Sequence, residues 1–476
     1  NPAATFLSVS QNDWQGFCTC EKCKALDDAE GSHAASLLYG VNKVAEEIEK
    51  EFPNVRVETL AYQYTRKPPK SYRPRKNVIV RLCSIECSFC NPLNHEQNKA
   101  FHDDIVGWQK VADELFVWDY ATDFTLYLLP FPNYAVLAPN IRFYVDNNVV
   151  GFFEQGDYQC ETGDFVQLRN WVVAKLLWNP DLDPKALRDE FVAGYYAPEL
   201  VPIYREYFDV LLAAVEKSGV FLNIYRNSTN EWLDHDSLNA VTKLQRAALE
   251  IATKLEKEQP KRHAGLVTKV RREQIPLDLV WLQEYRRMKL ESQLIGEEFL
   301  GPENPYEFAK AFAAKCKEFG LTKYSESVPP SGFDAFTQDL VDRYDGYIDG
   351  EQFVPEMCAD LPAGSWIDIQ EYDMNKSRLG NMTFNATDDA ASNKRAVRMP
   401  GDHFEWALNW RVPKNISQLK SASGNADSKT YRVYAFVRCE ATAADGSAMT
   451  AGIYDESTKK SVAHKDLSVV EINGPE

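Results

Sequence analysis

Over the first 180 residues, short apolar runs alternate with stretches whose apolar residues recur every three or four positions. The short runs predict strands at Phe6–Ser10, Val55–Tyr64, Val78–Leu82, Leu115–Trp118 and Val149–Glu154. Between them, Ala35–Phe52 carries Leu37, Leu38, Val41, Val44 and Ile48 at helical spacing, and Asn98–Leu115, Tyr134–Asn147 and Phe165–Leu177 read the same way. Strands alternating with helices predict βαβ units and a parallel sheet.

Each predicted strand ends in a polar or aromatic cluster: Gln11-Asn12-Asp13, Tyr62-Gln63-Tyr64, Cys83-Ser84-Ile85-Glu86, Trp118-Asp119-Tyr120 and Glu154-Gln155-Gly156. A (β/α)8 barrel gathers its functional groups at the C-terminal ends of its strands. Five strands do not close such a barrel. The expectation is a TIM-like (β/α)8 barrel of which this chain holds the C-terminal five βα units, with an open α/β sheet as the alternative. The chain starts at Asn1-Pro2-Ala3 without Met or signal peptide and runs straight into a strand, which reads as an internal start.

Past Pro184 the period changes. Leu187–Lys217, Asp236–Glu258, Leu266–Glu297 and Pro305–Phe319 predict long helices forming a bundle. From about Phe353 the chain turns to Gly, Ser, Asn and Asp with alternating apolar residues, clearest at Thr430–Ala441, which predicts a β-sandwich. The fold class is therefore α/β plus all-β: a partial barrel at 1–183, a helical domain at 184–352 and a sandwich at 353–476.

Composition narrows the partners. The 476 residues carry 53 Lys plus Arg against 70 Asp plus Glu, a net charge of −17, which argues against binding nucleic-acid backbone or anionic lipid. Apolar runs stay well below the ~20 residues of a membrane helix, so no membrane span is expected. Ten Trp, 23 Tyr and 25 Phe supply flat rings that fill cores or stack on sugars.

Several motifs occur in order between residues 5 and 200: Ser8-Val9-Ser10-Gln11-Asn12-Asp13, Phe17-Cys18-Thr19-Cys20-Glu21-Lys22-Cys23, Ala61-Tyr62-Gln63-Tyr64-Thr65 with Lys67-Pro68-Pro69, and Arg81-Leu82-Cys83-Ser84-Ile85-Glu86-Cys87. They continue with Trp118-Asp119-Tyr120, Pro130-Phe131-Pro132-Asn133, Phe153-Glu154-Gln155-Gly156 and Trp178-Asn179-Pro180-Asp181. In this pattern the chain resembles the bacterial family catalogued as domain of unknown function 4838. The resemblance does not reach the tail. It implies a (β/α)8 glycoside hydrolase, similar to glycoside hydrolase family 163, endo-β-N-acetylglucosaminidases of complex N-glycans, with a barrel like those of family 20 hexosaminidases and family 67 α-glucuronidases. Phe6–Ser10 would then be the fourth barrel strand.

Glycoside cleavage needs an acid at the leaving oxygen and a group that stabilises the oxocarbenium-like centre. Asp13, Glu154 and Asp119 are the candidate catalytic carboxylates. Asp13 follows Asn12 at the end of the first strand, where it could also simply cap a turn. If a 2-acetamido group serves as nucleophile, Asp13 or Asn12 would orient it with Tyr62 or Tyr64. Glu154, beside Gln155, or a residue from barrel strands outside this chain would be the proton donor, and a Glu in that role needs a raised pKa. Asp119 is a sugar clamp or a structural acceptor. Glu86 reads as structural. Trp14 and Trp118 are candidates for stacking on sugar faces, with core packing as the alternative. Asn12, Trp14, Tyr62, Tyr64, Trp118 and Gln155 form the candidate substrate-binding set.

Cys18, Cys20 and Cys23 follow one strand, and Cys83, Cys87 and Cys90 follow another. If both loops share one barrel face, six thiols meet, as a structural zinc site or as disulfides; either braces loops rather than performing chemistry. Cys160, Cys316, Cys358 and Cys439 are scattered and read as free core residues. No cofactor is required. The seven His form no ligand motif, and no Gly-x-Ser-x-Gly elbow or phosphate loop is present.

The leading expectation is a retaining, substrate-assisted endo-β-N-acetylglucosaminidase, exported to the periplasm or cell surface of a bacterium, acting on oligosaccharides or glycoprotein glycans. One alternative is an α-glucuronidase-like hydrolase holding a uronate with Arg66, Lys67 and Arg81. The other is a non-catalytic glycan-binding protein using Trp366, Trp406 and Trp410 in the tail. Oligomeric state is open.

Overall fold

The computed structural model describes residues 5–160, 162–295 and 297–344 continuously, and short segments between residues 359 and 473. The chain divides into two compact units, Asn1–Ser292 with Glu297–Tyr347, and Gln293–Gly296 with Ile348–Glu476.

Five parallel strands, β1 (Phe6–Ser8), β2 (Arg56–Ala61), β3 (Val78–Cys83), β4 (Leu115–Tyr120) and β5 (Val149–Gln155), lie side by side in chain order as a curled half-barrel sheet. All five fall where the sequence expects them. Their connections carry α1 (Glu21–Glu30), α2 (Ala34–Glu51), α3 (Lys99–Trp108) and α4 (Leu137–Asp146), and α5 (Val166–Trp178) follows β5. One face of the sheet is apolar. Val57 and Val78 pack with Val41 and Ala45 of α2, while Val80, Leu82, Leu115 and Val117 join the main core with Phe101, Ile105 and Trp108 of α3. On α2 the buried line is Ala34, Leu38, Val41 and Ala45; Val44 falls outside it and is exposed.

The opposite face begins as an aromatic and charged layer. Arg81 pairs with Glu58 at 2.6 Å and lies over the rings of Phe116 and Trp118. Phe6 touches Phe116, and Phe153 meets Trp118 edge-on. Gly151 stands beside Phe116 in the register, and a Cβ there would fall 2.1 Å from that ring, so any larger residue would have to displace it.

Helices follow: α6 (Pro184–Phe191), α7 (Val201–Ser218), α8 (His235–Glu258), α9 (Leu266–Arg272), α10 (Ile275–Ile295), α11 (Pro305–Glu318) and α12 (Gly332–Tyr344). Two stretches expected as single helices are divided. The helix expected over Leu187–Lys217 passes through a π turn at Val192–Tyr196 and breaks at Ala197, which is extended because Pro198 follows it. The one expected over Leu266–Glu297 is cut between Arg272 and Ile275, with Pro276 in the first turn of α10. Helices α1 and α12 were not expected. Only Asp27 is buried in α1, so it has no apolar stripe; Gly31 in left-handed conformation ends it. In α12, Phe333, Thr337, Leu340 and Tyr344 form a buried line.

In the second unit, β6 (Asn375–Lys376) pairs with β9 (Leu408–Asn409), β7 (Phe384–Thr387) with β8 (Arg395–Arg398), and β10 (Ser447–Asp455) with β11 (Lys460–Ser468), all antiparallel. A short helix, α13 (Val469–Asn473), follows. The strand expected at Thr430–Ala441 lies largely outside the described residues, as do Trp406 and Cys358. Among the described residues no helix is long and apolar enough to cross a membrane.

A candidate active-site mouth at the strand ends

Asp13 stands in the loop after β1 and accepts a hydrogen bond from the Tyr62 hydroxyl at 3.1 Å. The pairing is fixed from beneath. Gln11 Nε2 donates to the Tyr62 carbonyl at 3.0 Å, and Thr65 Oγ1 donates to Gln11 Oε1. The Tyr62 amide donates to Thr65 Oγ1, and the Thr65 amide donates back to the Tyr62 carbonyl. Gln63 between them is held at φ 51°, a left-handed conformation rare outside glycine. Burial, and then the hydrogen bond to Asp13, push the Tyr62 phenol up to about 12, so it is a donor throughout the physiological range. Asn12, Asp13 and Trp14 are exposed, and the Trp14 ring, 64% exposed, lies against Gly16.

Across the sheet, Trp118 Nε1 donates to Gln155 Oε1 at 2.8 Å, and Gln155 Nε2 donates to Glu326 Oε1 at 2.9 Å. Trp118 stacks on Tyr120. Tyr225 completes the constellation: its phenol pKa is raised by burial and then by the charges of both Glu326 and Asp13. Asp13, bonded to Tyr62, and Glu326, bonded through Gln155 to Trp118, are thus two carboxylates whose charges both reach Tyr225.

Tyr225 and Glu326 come from outside the half-barrel, and their sequence gave no motif. They are placed by the buried connection after β4. The Phe124 amide donates to the Ile224 carbonyl at 2.9 Å, and the Phe124 carbonyl accepts from the Glu326 amide at 3.0 Å. Asp123 Oδ1 accepts the amides of Thr125, Leu126 and Arg226, and burial pushes this carboxyl up to about 8. One signal was available: Glu326 lies in Tyr324-Ser325-Glu326-Ser327-Val328-Pro329-Pro330, a loop-forming run, and loops carry function more often than their length suggests.

The other expected residues are distributed by strand alternation. Asp119 follows Trp118, and Glu154 follows Phe153, so both carboxylates point from the mouth side to the helix side, where they are neighbours in the register. There the Ser84 hydroxyl and the Tyr120 amide donate to Asp119, and burial raises its pKa. Burial, and then the charge of Asp119, push Glu154 well above the usual carboxylate range, against the pull of Arg169. The raised pKa expected of Glu154 is present, but its carboxyl does not face Asp13. Tyr64 packs with Phe17 and His33 instead of pairing with Asp13. Glu86 pairs with Arg66, whose Nε also donates to Asp104 at 2.7 Å.

The two cysteine groups separate. The sulfurs of Cys18, Cys20 and Cys23 lie within 4.8 Å of one another, and all three are free thiols. The amide of Cys23 and the neighbouring thiols hold the Cys20 thiol down to about 7, while Cys20 and Cys18 push Cys23 up to about 12. Cys83, Cys87 and Cys90 do not join them. Cys87 is buried in the helix-side core, Cys83 sits beside Tyr120 with its thiol pushed up to about 12 by burial, and Cys90 faces Ser88 and the Val220 carbonyl. Cys160 and Cys316 are buried as expected, and Cys439 is half-buried.

Glu154 gives a pH test. A buried carboxyl with raised folded pKa contributes its full stability below its unfolded pKa and loses it as pH rises toward the folded one. Glu154→Gln removes that loss. Tm measured between pH 5 and pH 8 should fall less steeply in the variant, by up to about 1.4 kcal/mol per pH unit of stability. Parallel pH profiles would show that Glu154 does not titrate on unfolding.

Residues 1–209 match the family described as Domain of unknown function (DUF4838). Among curated proteins no match was found.

Proposed function

From the premise that residues 1–209 are a member of the DUF4838 family, we propose that the chain is a glycoside hydrolase acting on N-acetylglucosamine-containing glycans, endo-acting on complex N-glycans by a retaining, substrate-assisted route. The five-strand sheet is read as part of a (β/α)8 barrel, the antiparallel tail as a β-sandwich, and an exported bacterial setting suits the substrate.

The observation that carries the reading is the hydrogen-bonded Asp13–Tyr62 pair on the aromatic mouth. Tyr62 donates to Oδ1, which leaves Oδ2 to accept the N–H of a 2-acetamido group. A carboxylate there makes the amide oxygen more nucleophilic toward the anomeric carbon and stabilises the cyclic cation that forms. Trp118, its indole fixed by Gln155, and the exposed Trp14 offer faces for sugar rings. Glu326 is the second carboxylate on this mouth. Its Oε1 is held by Gln155 Nε2, and we assign it the role of proton donor to the leaving oxygen. The α-glucuronidase reading is weaker, because Arg66 and Arg81 are already paired with Asp104 and Glu86 and with Glu58.

The test is incubation of the protein with a glycoprotein bearing complex N-glycans, followed by mass spectrometry. Released glycans ending in a single N-acetylglucosamine are expected. Intact glycans beside folded protein overturn the reading, and retention of glycan without product identifies a binding protein instead.

A further inference from the structure

We propose that Cys18, Cys20 and Cys23 form a three-thiolate site for a soft divalent cation of the zinc type, with the fourth position left to water or an added ligand. The proposal is independent of the hydrolase reading.

Tetrahedral zinc with bonds of about 2.3 Å separates its sulfurs by about 3.8 Å. The three sulfurs already lie within 4.8 Å of one another, so side-chain rotation alone closes the set. Spacing explains the convergence. Cys18 and Cys20 are two apart in the loop, and Cys20 is the residue that caps α1. Cys23 lies one turn into that helix and returns to the same side. Both Cys18 and Cys20 are exposed, so a cation reaches them without unfolding.

The ligand loop is also fixed in advance. Phe17, the residue before Cys18, stacks on His33 with centroids 3.8 Å apart and touches Tyr64. His33 Nδ1 is 2.9 Å from Asp27 Oδ2, and Asp27 Oδ1 accepts the Ser36 amide at 2.9 Å. The end of the loop is thus seated on β2's exit and on the turn between α1 and α2. Bound metal would fasten the chain five residues from Asp13, which makes it a brace for the mouth and not a participant in chemistry.

The probe is cobalt(II), added anaerobically to the reduced protein, then displaced by zinc. A thiolate-to-cobalt charge-transfer band saturating at one equivalent is expected, abolished in Cys20→Ser and retained in Cys90→Ser. Far-ultraviolet circular dichroism should be the same in both variants, because Cys20 is exposed. A second measurement needs no variant: zinc should protect Cys18, Cys20 and Cys23 from iodoacetamide, as mapped by mass spectrometry. Absence of the band, its survival in Cys20→Ser, or equal alkylation with and without zinc overturns the proposal. So does a disulfide among the three that persists under the reducing conditions.

Discussion

Asp13→Asn should lower kcat on an N-glycan substrate by about 10²–10⁴-fold, the range for removal of a positioned acid–base or polarising group. The substitution keeps the side chain's shape and its oxygen partner for Tyr62. It removes the negative charge that would face the acetamido N–H. Because Asp13 is exposed and makes one side-chain hydrogen bond, the fold should be unaffected, with Tm unchanged within the error of the measurement. Tyr62→Phe should give a smaller loss, since the carboxylate remains but swings free of its donor. Turnover and Tm are measured side by side. An Asp13→Asn protein that turns over at the parent rate removes Asp13 from the chemistry, and Glu326→Gln then becomes the next variant to assay.

Arg169→Met should destabilise the half-barrel unit by about 3–5 kcal/mol, the range for breaking a buried ion pair from one side. Arg169 is 1% exposed, so its guanidinium has no water to turn to. Nη2 donates to Asp164 Oδ2 at 2.7 Å, to the Phe131 carbonyl and to the Tyr134 hydroxyl. Nη1 donates to the Asp164 carbonyl at 2.6 Å, and Nε to Asn133 Oδ1. Methionine fills much of the volume but leaves Asp164 buried without its cation. Arg169→Lys should recover only part of the loss, because an ammonium cannot reach five acceptors spread in a plane. Urea unfolding of the parent and both variants measures this. A Met variant within about 1 kcal/mol of the parent would mean that Asp164 escapes the penalty expected of an orphaned charge.

The five strands were readable because each is a short apolar run with the mouth-side residue announced by its strand end. The helix breaks were readable in principle at Pro198 and Pro276, since the proline chemistry is local. Helix α1 was not, for its residues are mostly charged and its stability comes from Gly31 and from Asp27's contacts with His33 and Ser36. Four of the six residues of the candidate site were likewise visible. Asp13, Tyr62, Trp118 and Gln155 sit at strand ends, and the rule that places function there selects them. The same rule also selected Asp119 and Glu154, because it counts residues from a strand's end and not the face on which each falls. Tyr225 and Glu326 were missed for a different reason: the run around Glu326 marks only a loop, and nothing local to either residue records that Phe124 will bind its segment.

The two hydrogen bonds of Phe124 set a condition on how the mouth can assemble. Its amide holds a segment about 100 positions later in the chain, and its carbonyl holds one about 200 positions later. Contacts of such sequence separation close large loops and form late, after local helices and neighbouring βα units are in place. Tyr225 and Glu326 therefore reach the mouth only by closing loops of about 100 and 200 residues, a larger cost in chain entropy than the closure of about 50 residues that brings Tyr62 to Asp13.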